Sequence, residues 1–133
     1  MQKIEHIGIA VKDLSASVPL FEALLNTPCY KTETVESENV STAFFKTGES
    51  KIELVQDSSG GTITKFIEKR GEGIHHIAFE VADIGTEMKR LQAAGFQLLH
   101  TEPRKGADNK LVCFVHPKST NGVLVELCQE IKE

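Results

Sequence analysis

His6-Ile7-Gly8-Ile9-Ala10-Val11-Lys12-Asp13-Leu14 returns 70 positions on as His76-Ile77-Ala78-Phe79-Glu80-Val81-Ala82-Asp83-Ile84. A second phrase, Ile52-Glu53-Leu54-Val55-Gln56, returns 73 positions on as Val125-Glu126-Leu127-Cys128-Gln129. Both phrases alternate apolar side chains with small or polar ones, the period-two pattern of a half-buried strand. In the first, an Asp stands just before a helical pattern, where its carboxylate can cap the helix. The chain therefore reads as a duplicated unit in which each half carries one strand-borne His and one strand-borne Glu.

The flanking sequence fills in the rest. A strand over 4–11 leads to a helix capped by Asp13 or Ser15 and running to about Leu25. Pro19 lies inside that helix, where it costs a backbone hydrogen bond and favours a kink. Strands are predicted over 30–35, 41–46 and 51–56, with the turn Thr47-Gly48-Glu49-Ser50 joining the last two. A short helix over 62–70 stops at Gly71-Glu72-Gly73. The second half repeats the order: a strand over 74–81, a helix from Asp83 to about Ala94 closed by Gly95, and a strand over 96–100. A polar loop over 102–109 follows, then strands over 110–116 and 122–129. Each half is thus β-α-β-β-β, an α+β arrangement of two pseudo-two-fold modules, about 1–70 and 71–133, in a single domain.

Alternation along the strands decides which polar side chains can meet. Ile7, Ile9 and Val11 share the face that helices should cover, leaving His6, Gly8 and Ala10 on the other. His76 and Ala78 take the same place in the second copy. A small residue beside each imidazole suits a concave site better than a filled core. Glu53 and Glu126 alternate against apolar neighbours and point away from the helices too. A lone strand His or Glu is more often structural or solvated. Recurrence of both residue types at matching places makes His6, Glu53, His76 and Glu126 candidate metal ligands on a cupped mixed sheet. This mixed nitrogen and oxygen set suits Zn²⁺, Co²⁺, Mn²⁺, Ni²⁺ or Fe²⁺ and leaves positions open for a bidentate ligand.

Other features narrow the function classes. The chain has 133 residues, 15 Lys and Arg against 19 Asp and Glu, and 6% aromatic residues, which argues against a nucleic-acid groove. No apolar run reaches the length of a membrane span, no signal-peptide pattern opens the chain, and a cytoplasmic protein is expected. Cys29, Cys113 and Cys128 lack CxxC spacing and read as reduced packing thiols. No Gly-rich phosphate loop or nucleophile elbow is present. His75 reads as structural or as a lid over the helix layer, and His100 as a surface residue. His116 sits in a His-Pro-Lys-Ser turn, where turn chemistry and contact with an anionic substrate are both open. Arg104, Lys105, Lys110 and Lys118 read one by one as a solvated rim; as a group they suit the phosphates of a nucleotide-bearing substrate.

Three stretches carry a resemblance: 71–81 around Gly73-Ile74-His75-His76, Glu102-Pro103-Arg104-Lys105-Gly106, and His116-Pro117-Lys118-Ser119 leading into 122–127. With them, essentially the whole chain resembles the vicinal oxygen chelate superfamily, and within it the methylmalonyl-CoA epimerases. Small bacterial glyoxalases of that superfamily typically carry an Asp-Pro-Asp-Gly turn where this chain has His116-Pro117-Lys118. The resemblance implies a cup around a divalent ion (Co²⁺, Mn²⁺, Zn²⁺, Ni²⁺ or Mg²⁺) held by His6, Glu53, His76 and Glu126. It implies an acyl-CoA substrate, R/S interconversion at C2 through a metal-stabilised enediolate, a homodimer, and no nucleic-acid or membrane partner. From their pseudo-symmetric placement, Glu126 is expected to shuttle a proton on one side of C2, with Glu53 or a water on the other, and His116, Lys118 and Lys105 are expected near the substrate. Some members place a Glu where this chain has Thr42, whose hydroxyl cannot act as a base near neutral pH; Glu36 and Glu38 are the nearest carboxylates in sequence. The alternatives are a glyoxalase-like lyase or isomerase acting on a thiol adduct, and a metal-free binding protein of the same fold. An extradiol dioxygenase, with two His and one Glu, fits the fourth ligand poorly.

Overall fold

The computed structural model describes all residues except Ser37, Glu38, Ser59 and Glu133. Its elements are β1 (Lys3–Ala10), α1 (Leu14–Leu25), β2 (Lys31–Val35), β3 (Val40–Thr47), β4 (Ser50–Asp57) and α2 (Thr62–Arg70). The second half comprises β5 (Gly73–Glu80), α3 (Ile84–Ala93), β6 (Arg104–Lys105), β7 (Lys110–Val115) and β8 (Val125–Glu130), with a 3₁₀ turn at Pro117–Thr120. The residues gather into two compact units, His6–His75 and Met1–Glu5 with His76–Glu133. In the first unit the strands run β2-β3-β4-β1, and in the second β5-β8-β7-β6. In both, the His-bearing and Glu-bearing strands are parallel neighbours: β1 beside β4 and β5 beside β8. Antiparallel β3 and β7 flank them.

One face of each sheet is sealed by a helix. In the first unit Val11, Ala43, Phe45 and Leu54 form a buried cluster against Val18, Phe21 and Leu25 of α1. In the second, Cys113, Val115 and Leu127 pack with Ile84, Met88 and Leu91 of α3. The two helices begin alike. Asp13 caps α1, accepting from Ser15 N at 3.0 Å, and Asp83 caps α3, accepting from Thr86 N at 3.1 Å. α1 continues through Pro19 to a left-handed Asn26.

Among the described residues, the helix α2 has no counterpart in the second unit. It covers the other face of the first sheet, where Ile63 packs with Ala10 and Val55. Its own N-cap is Gly61, with no side chain to satisfy the first amides. Asp57, at the end of β4, serves instead: Oδ2 accepts from Ile63 N at 2.8 Å and Thr64 N at 2.9 Å, and Oδ1 accepts from the Thr64 hydroxyl. Burial pushes the Asp57 carboxyl up, but the Thr64 hydroxyl and the backbone N–H groups outweigh it and hold it below the ordinary 3.8. A depressed folded value means the stabilisation is present in full above 3.8 and is lost as pH falls through the folded value. Asp57→Ala is therefore expected to cost about 1–2 kcal/mol near pH 7. In thermal unfolding, the gap to wild type should close in acid; a constant gap at all pH values would mean that the charged cap contributes nothing.

Two strand predictions need correction. The stretch 96–100 is not a strand: Leu98 makes one isolated bridge to Val115. Gln97 N–H is drawn to the Ser119 hydroxyl at 3.0 Å, so the ladder does not extend. The place beside β7 goes to Arg104–Lys105, inside the stretch read as a polar loop. The last strand starts at Val125 rather than 122, because the turn closes later, with Gly122 N donating to Pro117 O at 2.8 Å.

Candidate metal centre

Register and packing place the four predicted ligands on the faces not covered by α1 or α3. On β4, Ile52 and Leu54 belong to the α1 cluster while Val55 belongs to the α2 cluster. Glu53, in phase with Val55, therefore points away from α1. On β8, Val125 and Leu127 pack with α3 while Cys128 joins Ala78 and Val112. Glu126, in phase with Cys128, takes the same side as Ala78.

The structure brings the ligands together in two matching pairs. His6 Nε2 lies 3.2 Å from Glu53 Oε1, and His76 Nε2 lies 3.2 Å from Glu126 Oε1. All four side chains are buried, with residue exposures of 5–7%. Burying a carboxylate is costly unless a cation or donors answer it. An imidazole nitrogen and a carboxylate oxygen converging out of water are the donor types that borderline divalent ions accept. Each pair thus fits half of a metal site by its donor chemistry.

The neighbours of each carboxylate repeat as well. Glu53 stands between Phe44 and Gly8 in the ladder, and Glu126 between Phe114 and Ala78. The Phe114 ring meets the His76 ring edge-on at 5.8 Å. An aromatic wall on one side and a small residue on the other support the ligands and leave space beside them. The glutamines that close the second repeated phrase have a role the sequence reading missed. Gln56 Oε1 accepts from Leu14 N at 2.6 Å, and Gln129 Oε1 accepts from Ile84 N at 2.8 Å. Each ligand-bearing strand is thereby tied to the first turn of the helix behind it. A Gln at fixed offset from a ligand Glu, repeated in both halves, was the available signal.

The remaining candidates fall elsewhere. Thr42 is 1% exposed on β3, and its hydroxyl donates to the Glu33 carbonyl at 3.4 Å. Glu36 is exposed beyond the end of β2, and Glu38 lies outside the described residues. His116 makes turn chemistry: Nδ1 accepts from Lys118 N at 3.0 Å. Lys118, Lys105 and Arg104 are exposed. Lys110 is not a rim residue; it is 7% exposed and lies 3.9 Å from Glu5 Oε2. His100 is half-buried beside Phe114 rather than on the surface. Burial, and then the Arg104 guanidinium, push its pKa down. His75 packs edge-on against Phe66 at 4.9 Å. The three cysteines are free, and burial pushes the Cys113 thiol up.

Residues 5–114 match the model of the glyoxalase/bleomycin resistance protein/dioxygenase superfamily. The chain is 38% identical over 130 residues to the ethylmalonyl-CoA/methylmalonyl-CoA epimerase of Cereibacter sphaeroides, covering 96% of this chain and 97% of that one. Its fold is similar to that of a Streptomyces coelicolor methylmalonyl-CoA epimerase variant in complex with 2-nitronate-propionyl-CoA. The TM-score is 0.93 at 33% identity, over 99% of each chain. A methylmalonyl-CoA epimerase from Mycobacterium tuberculosis also gives 0.93, at 29% identity over 98% of this chain and 89% of that one.

Proposed function

This chain belongs to the glyoxalase/bleomycin resistance protein/dioxygenase superfamily, and from that premise we propose that it is an isomerase interconverting the R and S forms of methylmalonyl-CoA at C2. The observation that carries the reading is the repeated buried His–Glu pair, together with near-full-length similarity to epimerases of this substrate. His6, Glu53, His76 and Glu126 together would hold one divalent ion. When bound, that ion supplies positive charge against the oxyanion that develops as the C2 proton leaves. The chain's own residues do the rest. Glu126 moves a proton on one face of C2, and Glu53 or a water acts on the other. Arg104, Lys105, His116 and Lys118 are the groups available to the CoA phosphates and the substrate's carboxylate. A cytoplasmic homodimer serving propionate metabolism belongs to the same proposal and rests on the resemblance.

Racemic methylmalonyl-CoA coupled to a stereospecific mutase provides the test. Alone, the mutase should stop at about half conversion, because a racemate holds its two epimers equally; with this protein added, the reaction should run to completion. Chelation should restore the plateau, and Co²⁺ or Mn²⁺ should lift it again. Methylglyoxal with a thiol serves as the control substrate. Turnover of that control and persistence of the plateau would replace the epimerase reading with the glyoxalase-like one.

A further inference from the structure

Resting on that reading, we propose that His100 is a positioning residue for the His76–Glu126 pair and acts through the Phe114 ring. All four residues belong to the second unit. Phe114 stands directly opposite Glu126 in the β7–β8 ladder, so the two side chains share a face. The Phe114 ring meets His76 at 5.8 Å and 84°, and it meets His100 at 6.3 Å and 64°. Both separations fall within the roughly 4.5–7 Å at which aromatic pairs attract, and both tilts approach edge-to-face. Phe114 is thus a ring shared between a candidate ligand and an imidazole that has no place among the ligands.

The backbone delivers His100 to this place. His116 N donates to Gln97 O at 2.8 Å and Leu99 N donates to Phe114 O at 2.9 Å, which lays the chain along β7. Leu98 turns into the α3 core, and His100 follows, half-buried. Burial and then the Arg104 guanidinium favour its uncharged ring, the form that packs on an apolar neighbour at least cost. The first unit repeats the arrangement. The offset of 70 that carries His6 to His76 also carries Phe44 to Phe114 and Tyr30 to His100. Phe44 stands opposite Glu53, and the Tyr30 ring meets it at 6.1 Å. In both halves the Phe beside the candidate ligand Glu carries a second ring. One is a phenol and the other an imidazole, so what they share is the ring itself rather than a hydroxyl or a nitrogen.

A ligand imidazole must hold its plane for a nitrogen lone pair to point at an ion, and neighbours outside the ligand set fix that orientation. The near-perpendicular Phe114 ring does this for His76. Phe114 is itself only half-buried, so the core around it does not fix its ring alone, and His100 supplies the second contact. Phe44 is 1% exposed and is held by its surroundings as well. The brace therefore matters more at Phe114.

Co²⁺ binding to the full chain tests this. His100→Ala should weaken it by about three- to tenfold and shift the visible absorption of the bound ion, whose bands follow ligand geometry. His100→Phe, which keeps a ring and discards the nitrogens, should restore both. Phe114→Leu should lose at least as much as His100→Ala, and the double variant should be no worse than Phe114→Leu alone, because one residue acts through the other. Should the Ala variant not fold, His100→Val, with bulk but no ring, is read in its place. Additive losses, a change under threefold in the ringless variant, or a Phe variant as weak as the Ala one would overturn the assignment. So would wild-type protein that takes up no Co²⁺. Wild-type protein that binds Co²⁺ but is inactive in the coupled assay refutes the epimerase reading instead, and the Co²⁺ measurements still decide the role of His100.

Discussion

Glu126→Gln should reduce epimerisation by about 10³-fold, with the protein folded and at least part of its metal retained. The amide keeps an oxygen where Glu126 Oε1 faces His76 Nε2 at 3.2 Å, so a donor to metal survives. What is lost is the group proposed to take and return a proton, and positioned acid–base groups contribute about 10²–10⁴-fold. Isotope exchange separates the two losses. With Glu126 gone, C2 exchange should survive for one epimer only. Wild-type exchange of both epimers in the Gln variant would remove Glu126 from the proton relay. Loss of all bound metal would mean that the carboxylate acts mainly as a ligand.

Phe45→Ala is expected to cost about 3–5 kcal/mol, a large part of the roughly 5–15 kcal/mol that holds a domain folded. Phe45 is 0% exposed at the centre of the first module's helix-facing core. Its ring lies 6.3 Å from that of Phe21 on α1, and Ala43, Leu54 and Val11 surround it. Removing the ring leaves a void that backbone ladders on both sides of β3 keep from collapsing. Denaturant unfolding should show a midpoint well below wild type with an unchanged slope. A cost under 1 kcal/mol would mean that this core is loosely packed. Phe44, one residue earlier, points to the ligand face, so its truncation should disturb activity more than stability.

The repeated phrase made the facing of the candidate ligands legible. A period of two fixes which side of a strand each residue takes, so His6, Glu53, His76 and Glu126 could be assigned to faces from sequence, and the structure pairs them within each module. Helix starts were equally readable, because Asp13 and Asp83 cap through local geometry. What escaped depends on contacts distant in sequence. The Gln56 and Gln129 clamps reach back 42 and 45 residues, and no local pattern specifies the helix they meet. The stretch 96–100 has strand composition, but Ser119, brought close by the 3₁₀ turn, takes the Gln97 amide.

A protein assembled from two identical copies must carry the same residue at both equivalent places. Joined in one chain, the copies are free to diverge. Here the candidate ligands have stayed alike while the outer strands have not: Glu33 stands opposite Thr42 in one half, and Arg104 opposite Val112 in the other. A substrate whose two ends differ chemically is poorly served by two identical sides. Fusion lets the shared frame stay symmetric while its tools specialise.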